Sequence, residues 1–394
     1  MEVRFYKAIE DIGQSLWNSV CGTDYPFIRY EFLHALETAG NNDFSVGAAC
    51  TKESGWQPYH AIVFDGDTAV AAAPLYLKYH SYGEYIFDWS WSEAYERNGL
   101  NYFPKLLGAI PYSPVSGLRI AIAETALSNS EAIYQSLKEA CIEQCEKLDL
   151  SSFHFLYSTK SVSDALAKQQ LTQRHSHQYH WFNENKNQHA FNDFDDFLAE
   201  FKSRKRKDVK KERQWVKDQG ITLLRLTGSD IDDSLWDTFF DFYQRTYAKR
   251  SGHGGYLPKA FFQRIAKTMP EQILLVIAFQ DDIAIAGALN LFSSDTLFGR
   301  YWGCNQDAEF LHFEACYYQG IEFCIEKGLK KFDAGAQGEH KVKRGFKPIN
   351  TWSNHWIKHP DFRVAINRFI KSEAEQVKTN IATTSQWLPF NNRE

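Results

Sequence analysis

The sequence predicts an α/β (α+β) chain of two related halves, each a mixed, mostly antiparallel sheet flanked by helices. Its 394 residues exceed the usual size of a single hydrophobic core. A strand–turn–strand pattern occurs twice, at residues 60–78 and 273–292. Each copy is later followed by a helical pattern and a short apolar strand, which indicates a structural duplication.

The first copy begins with an Asp-Gly-Asp turn between two strands within residues 60–78. Residues 130–148 carry apolar side chains at helical spacing, and an apolar strand follows at 152–157. Residues 88–115 are rich in aromatic and turn-forming residues, and we interpret them as an insertion into this copy.

The second copy has a Gln-Asp-Asp turn within residues 273–292 and a third strand at 296–304. A helix follows at 311–327, and Gly328 is expected to end it. The next apolar stretch, at 329–333, predicts the strand that precedes a glycine-rich loop.

These patterns place an N-terminal domain at residues 1–185, a C-terminal domain at 190–370 and a loosely ordered polar tail at 371–394. Between residues 183 and 193 the regular spacing of apolar residues is lost and polar residues predominate. Acidic N-cap candidates at 193–196 then predict one helix that runs to about Gly220.

Composition restricts the class of protein. The net charge of −5 gives no global attraction to polyanions, so a nucleic-acid contact needs a local basic patch. Seven scattered cysteines fit free thiols in a reducing compartment, and the histidines at 175–180 lack the further ligands that zinc requires. The charged N-terminus and the absence of a long apolar run favour a cytoplasmic protein without a membrane span. No metal site is predicted.

The loop at 333–346 combines three glycines with acidic, basic and amide side chains, which is typical of a ligand-binding loop. The preceding helix begins with two further ionisable residues, which would face the end of the strand at 296–304, where open sheets bind ligands. The ionisable and amide residues of the two segments are Asp333, Gln337, Glu339, His340, Lys341, Lys343, Arg344, His312 and Glu314.

Residues 201–213 contain eight basic and two acidic residues. Lys202, Arg206, Lys210 and Arg213 recur at three- and four-residue spacing and would share one helix face. Such a stripe suits the phosphates of RNA, a nucleotide or a phosphorylated sugar, whereas a plain solvated face is an equally good interpretation.

The segments 311–320, 335–341 and Arg344-Gly-Phe resemble the FemAB-like peptidoglycan biosynthesis/recognition proteins, which are predicted N-acyltransferases of the GNAT superfamily. Further similar segments lie at 74–78, 83–88, 94–97 and 102–107. The resemblance implies two tandem GNAT-like domains and transfer of an acyl or aminoacyl group to an amine. One departure is Asp333-Ala334, where many relatives have Glu-Pro.

The resemblance leaves two activated donors open, acyl-CoA and aminoacyl-tRNA, and implies no permanently bound cofactor. Residues 305–310 lack the glycines of a coenzyme A pyrophosphate loop, which weakens the case for acyl-CoA and leaves aminoacyl-tRNA as a serious candidate. The acceptor would be a small-molecule or peptide amine. Alternatives are a strict aminoacyl-tRNA-dependent ligase of cell-wall peptide precursors and a non-catalytic module that recognises cell-wall or nucleic-acid ligands.

Roles follow from this chemistry. The base that deprotonates the amine is sought among His340, Glu314, Glu339 and His312. Backbone N–H groups near Trp302 are expected to bind the oxyanion. The residues expected to hold the donor phosphates are Lys341, Lys343, Arg344, Arg206, Lys210 and Arg213. Those expected to contact the acceptor are Arg300, Trp302, Gln337 and Asp333.

Overall fold

The computed structural model describes residues 1–38, 47–252, 254–336 and 338–391. Their strands are β1 (Glu2–Tyr6), β2 (Trp56–Pro58), β3 (His60–Asp65), β4 (Thr68–Ala73), β5 (Leu75–Lys78), β6 (Lys105–Gly108), β7 (Ala121–Ile122), β8 (Ser152–Ser158), β9 (Thr172–Phe182), β10 (Ile221–Thr227), β11 (Ile273–Gln280), β12 (Ile283–Phe292), β13 (Thr296–Cys304), β14 (Lys331–Asp333) and β15 (Lys347–Ile357).

The α-helices of the described residues are α1 (Gln14–Cys21), α2 (Tyr30–Glu37), α3 (Trp89–Arg97), α4 (Ser130–Lys147), α5 (Lys160–Lys168), α6 (Phe194–Ala199), α7 (Ser203–Asp218), α8 (Asp233–Ser251), α9 (Lys259–Thr268), α10 (Leu311–Phe313), α11 (Gln319–Lys327) and α12 (Pro360–Ser385). A wide π-type turn at Glu314–Tyr318 joins α10 to α11. Within the described ranges, no helix is both long enough and apolar enough to cross a membrane.

The chain divides into two compact units, 1–177 with 350–379 and 178–349 with 380–394. These units are not the continuous halves 1–185 and 190–370 that the sequence suggests. The difference arises because residues 352–357 of β15 pair with β8, so this late strand completes the sheet of the first unit. Conversely, residues 180–182 of β9 pair with β14 within the second unit.

The first unit contains two sheets. One is antiparallel with the order β1-β3-β4-β7, and the other has the order β15-β8-β6-β5-β2. In the second sheet β6 and β8 are parallel, whereas the pairs β15–β8, β5–β6 and β2–β5 are antiparallel. Helix α4 packs Ile133, Leu137 and Cys141 into the same apolar core as Phe153 and Phe155 of β8.

The second unit has the strand order β10-β11-β12-β13-β14-β9. Strands β13 and β14 are parallel over Thr296–Phe298 and Lys331–Asp333, and the other neighbours are antiparallel. The β11–β12 hairpin turns at Asp281 and Asp282, which both take the left-handed conformation that a tight two-residue turn needs. Gly328 is left-handed and ends α11, as predicted.

Both units therefore contain an antiparallel strand pair, a helix and a strand parallel to the second member of the pair. These are β5–β6, α4 and β8 in the first unit and β12–β13, α10–α11 and β14 in the second. The predicted fold class, a mixed α/β chain with sheets flanked by helices, is confirmed.

Residues 88–115 need a correction, because this stretch is more than an insertion. It supplies α3 and then β6, the strand that corresponds to β13. Every residue of β6 is buried, and Leu106 and Leu107 are almost inaccessible to solvent. The aromatic residues around β6 obscured its short apolar pair, Leu106 and Leu107.

The polar tail also needs a correction, because α12 continues through Lys371 to Ser385. Ile366, Ile370 and Val377 are buried at helical spacing along it. This narrow apolar stripe holds the helix in place, although most of its other residues are polar.

Candidate functional site

The loop 333–346 follows β14 and contains a short 3-10 turn at Glu339–Arg344. Gly338 has a φ of 115°, and a β-carbon there would lie 2.4 Å from Cε1 of His340. A side chain at this position would therefore push the histidine aside, so glycine is required for the loop geometry. Gln337, predicted to bind the acceptor, lies outside the described residues.

Asp333 and Arg300, predicted to bind the acceptor, instead form a buried ion pair. Nη2 of Arg300 lies 2.8 Å from Oδ2 of Asp333, and both side chains are 1% exposed. His180 lies 3.6 Å from Oδ1 of the same carboxylate. Burial alone would raise the pKa of Asp333, but Arg300 and His180 outweigh it and keep the pKa below its ordinary value. The pair anchors the end of β14 and faces away from solvent.

Lys341 and Arg344, predicted to bind donor phosphates, use their donors to shape the loop. Nζ of Lys341 donates to the carbonyl oxygens of Ala334 and Gly335, at 2.7 and 2.9 Å. Burial lowers the pKa of Lys341 to about 8. Lys341 and Arg344 are both almost inaccessible to solvent. Lys343 and Glu339 are exposed and remain available.

Arg344 is fixed on three sides. Its Nη2 pairs with Oε1 of Glu212 at 2.7 Å, and its Nη1 donates to the carbonyl oxygen of His340 at 3.0 Å. Its guanidinium carbon lies 3.4 Å from the ring centroid of Phe313. These contacts clamp the backbone of His340 against the start of the helix that precedes the loop.

His312, Tyr317 and His340 form what we call the histidine–tyrosine cluster. The Tyr317 hydroxyl shares a hydrogen bond of 2.8 Å with Nε2 of His340 and lies 3.4 Å from Nε2 of His312. The wide turn at Glu314–Tyr318 explains the second contact, because it brings residues five apart onto the same face. His340 is exposed, whereas Tyr317 is buried.

The cluster is uncharged at neutral pH. Partial desolvation lowers the pKa of His340 although its residue is exposed, and the positive charges of Lys341 and Arg344 lower it further. Burial, with smaller effects of His340 and nearby cations, lowers the pKa of His312 to about 3. Burial raises the pKa of Tyr317. A neutral imidazole is thus hydrogen-bonded to a protonated phenol, an arrangement that can accept and relay a proton.

The cluster lies beside the place where β13 and β14 separate. The two strands pair only as far as Phe298 and Asp333, while β13 continues through residues 299–304. Trp302 belongs to this continuation, and its ring meets His312 edge-on with centroids 5.1 Å apart. The predicted neighbours Trp302, His312 and His340 are therefore brought together by the structure.

Glu314, a predicted base, lies in a different network. Its carboxylate accepts from Nε and Nη2 of Arg213 at 3.0 and 2.8 Å, and from Gln319 at 2.7 Å. Arg213 also pairs with Glu322 at 2.6 Å. Glu314 is buried, and its oxygens already accept several hydrogen bonds. The network joins α7 to the turn that carries Tyr317, so its evident role is to hold that turn.

The basic segment forms α7, which is separate from α6, so the single helix predicted from 193 to 220 is two helices. Val209 and Val216 lie on the buried side of α7. The predicted stripe borders this buried side, where Lys210 pairs with Asp195 at 2.7 Å and Arg206 is half-buried. The opposite side carries an exposed row, for which no ion pair is found among the described residues: Arg204, Lys207 and Lys211.

An open groove of about 600 Å³ lies in the second unit beside α7. Lys210, Arg213 and Glu322 line it together with Phe194 of α6. Two of the predicted phosphate-binding residues thus border a cavity, although Arg213 is also engaged with carboxylates.

Tyr317 is the member of the cluster that the sequence did not reveal. It stands five residues after His312, a spacing that a regular α-helix would place on a different face. A phenol next to a second tyrosine carries no motif of its own. Only the wide turn identifies it.

A family comparison agrees with this architecture. The family model described as FemAB-like, peptidoglycan biosynthesis/recognition, matches residues 8–392. The chain belongs to the FemAB-like family. No curated protein matches this FemAB-like chain in sequence.

The chain was also compared with solved structures, of which three are given. The C-terminal domain of a putative lysylphosphatidylglycerol synthetase from Agrobacterium fabrum has a TM-score of 0.55 at 9% identity, covering 91% of this chain and 95% of that one. A conserved protein of unknown function from Bacteroides thetaiotaomicron has a TM-score of 0.51 at 9% identity, with 91% and 100% covered. FemX has a TM-score of 0.48 at 12% identity, with 84% and 96% covered. At such identities the first two comparisons establish a shared fold.

Proposed function

We propose that this FemAB-like protein is an N-acyltransferase that moves an acyl or aminoacyl group from an activated donor to an amine. The observation that supports this most directly is the neutral, exposed His340 hydrogen-bonded to the protonated Tyr317. Amine acylation needs a base for the incoming amine and an acid for the leaving group, and this pair supplies both.

In the proposed reaction the acceptor nitrogen bonds to the donor carbonyl carbon, and the carbon–oxygen or carbon–sulfur bond of the donor breaks. His340 takes the amine proton, Tyr317 protonates the leaving oxygen or sulfur, and the shared hydrogen bond returns a proton to Tyr317. Backbone N–H groups of residues 299–304, beyond the last pair with β14, are our candidates for binding the oxyanion.

The donor we favour is aminoacyl-tRNA. Residues 305–310 offer no glycine-lined approach to a pyrophosphate, and Asp307 there pairs with Lys249 at 2.6 Å. The exposed row Arg204, Lys207 and Lys211 provides cations for a phosphate backbone. Acyl-CoA is the second candidate, with the groove beside Lys210 and Arg213 as a place for its phosphates.

The test measures product by mass spectrometry with aminoacylated tRNA or acetyl-CoA and a panel of amines. His340→Ala should lower kcat by about 10²–10⁴-fold, because a general base is lost. His189→Ala, which alters an exposed histidine of the same unit, should keep the wild-type rate. Ribonuclease should abolish transfer if tRNA is the donor and leave it unchanged if coenzyme A is.

Glu314→Gln separates the two candidate bases. Because Glu314 is an ion-pair partner of Arg213, this variant should lower the melting temperature along with any change in rate. A wild-type rate in His340→Ala with a selective loss in Glu314→Gln would overturn our assignment. Ligand binding without any product would favour the non-catalytic alternative.

A further inference from the structure

Four charged side chains are buried together in the first unit, far along the sequence from the histidine–tyrosine cluster. We call Lys78, Glu84, Asp88 and Lys105 the buried lysine cluster; their residues are 0%, 3%, 5% and 0% exposed. Nζ of Lys105 lies 2.9 Å from Oε2 of Glu84 and 2.5 Å from Oδ2 of Asp88. Burying charges is costly, and hydrophobic residues of similar volume often serve stability equally well. The cluster therefore invites a functional explanation.

Lys78 differs from Lys105 in its partners. Its ammonium donates to the carbonyl oxygen of Tyr82 at 3.3 Å and lies 3.8 Å from the ring centroid of Trp56. Among the described residues, no carboxylate lies within ion-pair distance of Lys78. Burial lowers the pKa of Lys78 to about 7, because its surroundings offset only part of the cost of burying the charge. Nearby, Oε1 of Glu84 is buried and has no hydrogen-bond partner in the part of the chain that the structure describes.

One segment covers both lysines. Residues 79–88, which we call the strap, link β5 to α3 without helix or strand structure. Every group that the strap offers to the two ammonium groups is an acceptor: the carbonyl of Tyr82, the hydroxyl of Ser81 and the carboxylates of Glu84 and Asp88. The strap thus occupies the position that an anionic group would take. Tyr85 within it has a φ of 59°, a strained conformation for a residue with a side chain.

The outer surface of this region is aromatic. Tyr82 is 56% exposed, Phe87 58% and Trp89 38%. The ring centroids of Tyr82 and Trp89 lie 5.2 Å apart, and those of Tyr82 and His80 are also 5.2 Å apart. A surface patch of large exposed aromatic rings is an interaction site more often than an average part of the surface is. Aromatic faces next to buried cations suit a sugar that carries an acidic substituent, because its C–H face can stack while its anion reaches the lysines.

We propose that the buried lysine cluster and the aromatic patch form a second ligand site, for a sugar bearing a carboxylate or phosphate, and that the strap is its displaceable cover. The ligand anion replaces the Tyr82 carbonyl on Lys78 and competes with Glu84 for Lys105. The sugar ring packs on Tyr82 and Trp89. This site is separate from the proposed transfer reaction, and its occupation requires no acyl donor.

The experiment titrates the full chain with glucuronate, glucose 6-phosphate and glucose, and follows binding by calorimetry and tryptophan fluorescence. Glucuronate or glucose 6-phosphate should bind at least about tenfold more tightly than glucose, as expected for one charge-assisted hydrogen bond. Whichever of the two anionic sugars binds more tightly identifies the preferred acidic group, carboxylate or phosphate. Lys78→Met should remove this preference, whereas Lys168→Met, which changes an exposed lysine of the same unit, should retain it.

Tyr82→Ala tests the site even if Lys78→Met does not fold, because Tyr82 is exposed and its loss leaves the core intact. It should weaken both anionic sugars without lowering the melting temperature. The proposal is overturned if a folded wild-type chain binds neither anionic sugar at millimolar concentration, or if folded Lys78→Met binds them as tightly as the wild type. Neither result bears on the His340 assay, so the two proposals fail independently.

Discussion

The loop 333–346 and the buried lysine cluster beneath the strap 79–88 both bring charged residues together, yet the two units use them differently. In the second unit, Asp333, Lys341 and Arg344 are buried and hold the backbone, while the neutral imidazole of His340 is exposed beside them. In the first unit, the charges themselves collect beneath an aromatic surface, and Lys78 lacks a carboxylate partner among the described residues. The buried charged residues of the second unit therefore hold the backbone in place, whereas those of the first unit indicate a candidate binding site.

The largest expected effect concerns stability and compares the two buried ion pairs. Lys105→Met leaves Glu84 and Asp88 buried without their cation, and we expect it to lower the free energy of unfolding by about 3–5 kcal/mol. Arg300→Met should cost less, because His180 and the N–H of Gly335 still contact Asp333. Urea unfolding measures both changes.

The control is Lys160→Met, which breaks an exposed ion pair with Asp164 and should cost only about 0–1 kcal/mol. If Lys105→Met were no more destabilising than this control, the buried lysine cluster would not be an ion-paired unit. An equal cost for Lys105→Met and Arg300→Met would show that His180 and Gly335 do not compensate Asp333.

The second effect is on the pH dependence of transfer. His340 acts as a base only when neutral, and partial desolvation with nearby positive charges places its pKa below the ordinary value of 6.5. The value of kcat/KM should therefore fall as the pH drops through a pKa below 6.5. Arg344→Gln removes one of these charges and should move the rising limb to higher pH. A limb that does not move would argue against His340 as the titrating group.

The smallest effect concerns the exposed row of α7. Replacing Arg204, Lys207 and Lys211 by glutamine should change the free energy of unfolding by less than about 0.5 kcal/mol, because all three side chains are on the surface. If tRNA is the donor, the affinity of the triple variant for tRNA should be lower than that of the wild type. The slope of log K against log salt concentration should also become shallower, by about 0.7–0.9 for each lost phosphate contact.

The matched control replaces three lysines of the first unit, Lys138, Lys147 and Lys168, by glutamine. It changes the net charge equally and should leave the salt slope unchanged. Equal slopes for both triple variants would show that the α7 row does not contact the donor.

The local pattern of this sequence was sufficient for most elements of the fold. The hairpin turns at 65–68 and 280–283, the strand β13 and the helix stop at Gly328 all follow from residues close in sequence. The loop 333–346 was also recognisable as a functional candidate, because glycine and ionisable residues alternate within it. Such features depend on backbone preferences and short-range periodicity, and both can be read from residues that are close in the sequence.

Only the tertiary structure decided how strands are shared and what each charge does. The pairing of β15 with β8 and of β9 with β14 joins residues far apart in sequence, and no local signal specifies it. Likewise, Glu314 faces Arg213 instead of the cluster, and Tyr317 reaches His340 through a wide helical turn. The physical reason is that burial and partners set the chemistry of an ionisable group, and both arise from long-range packing.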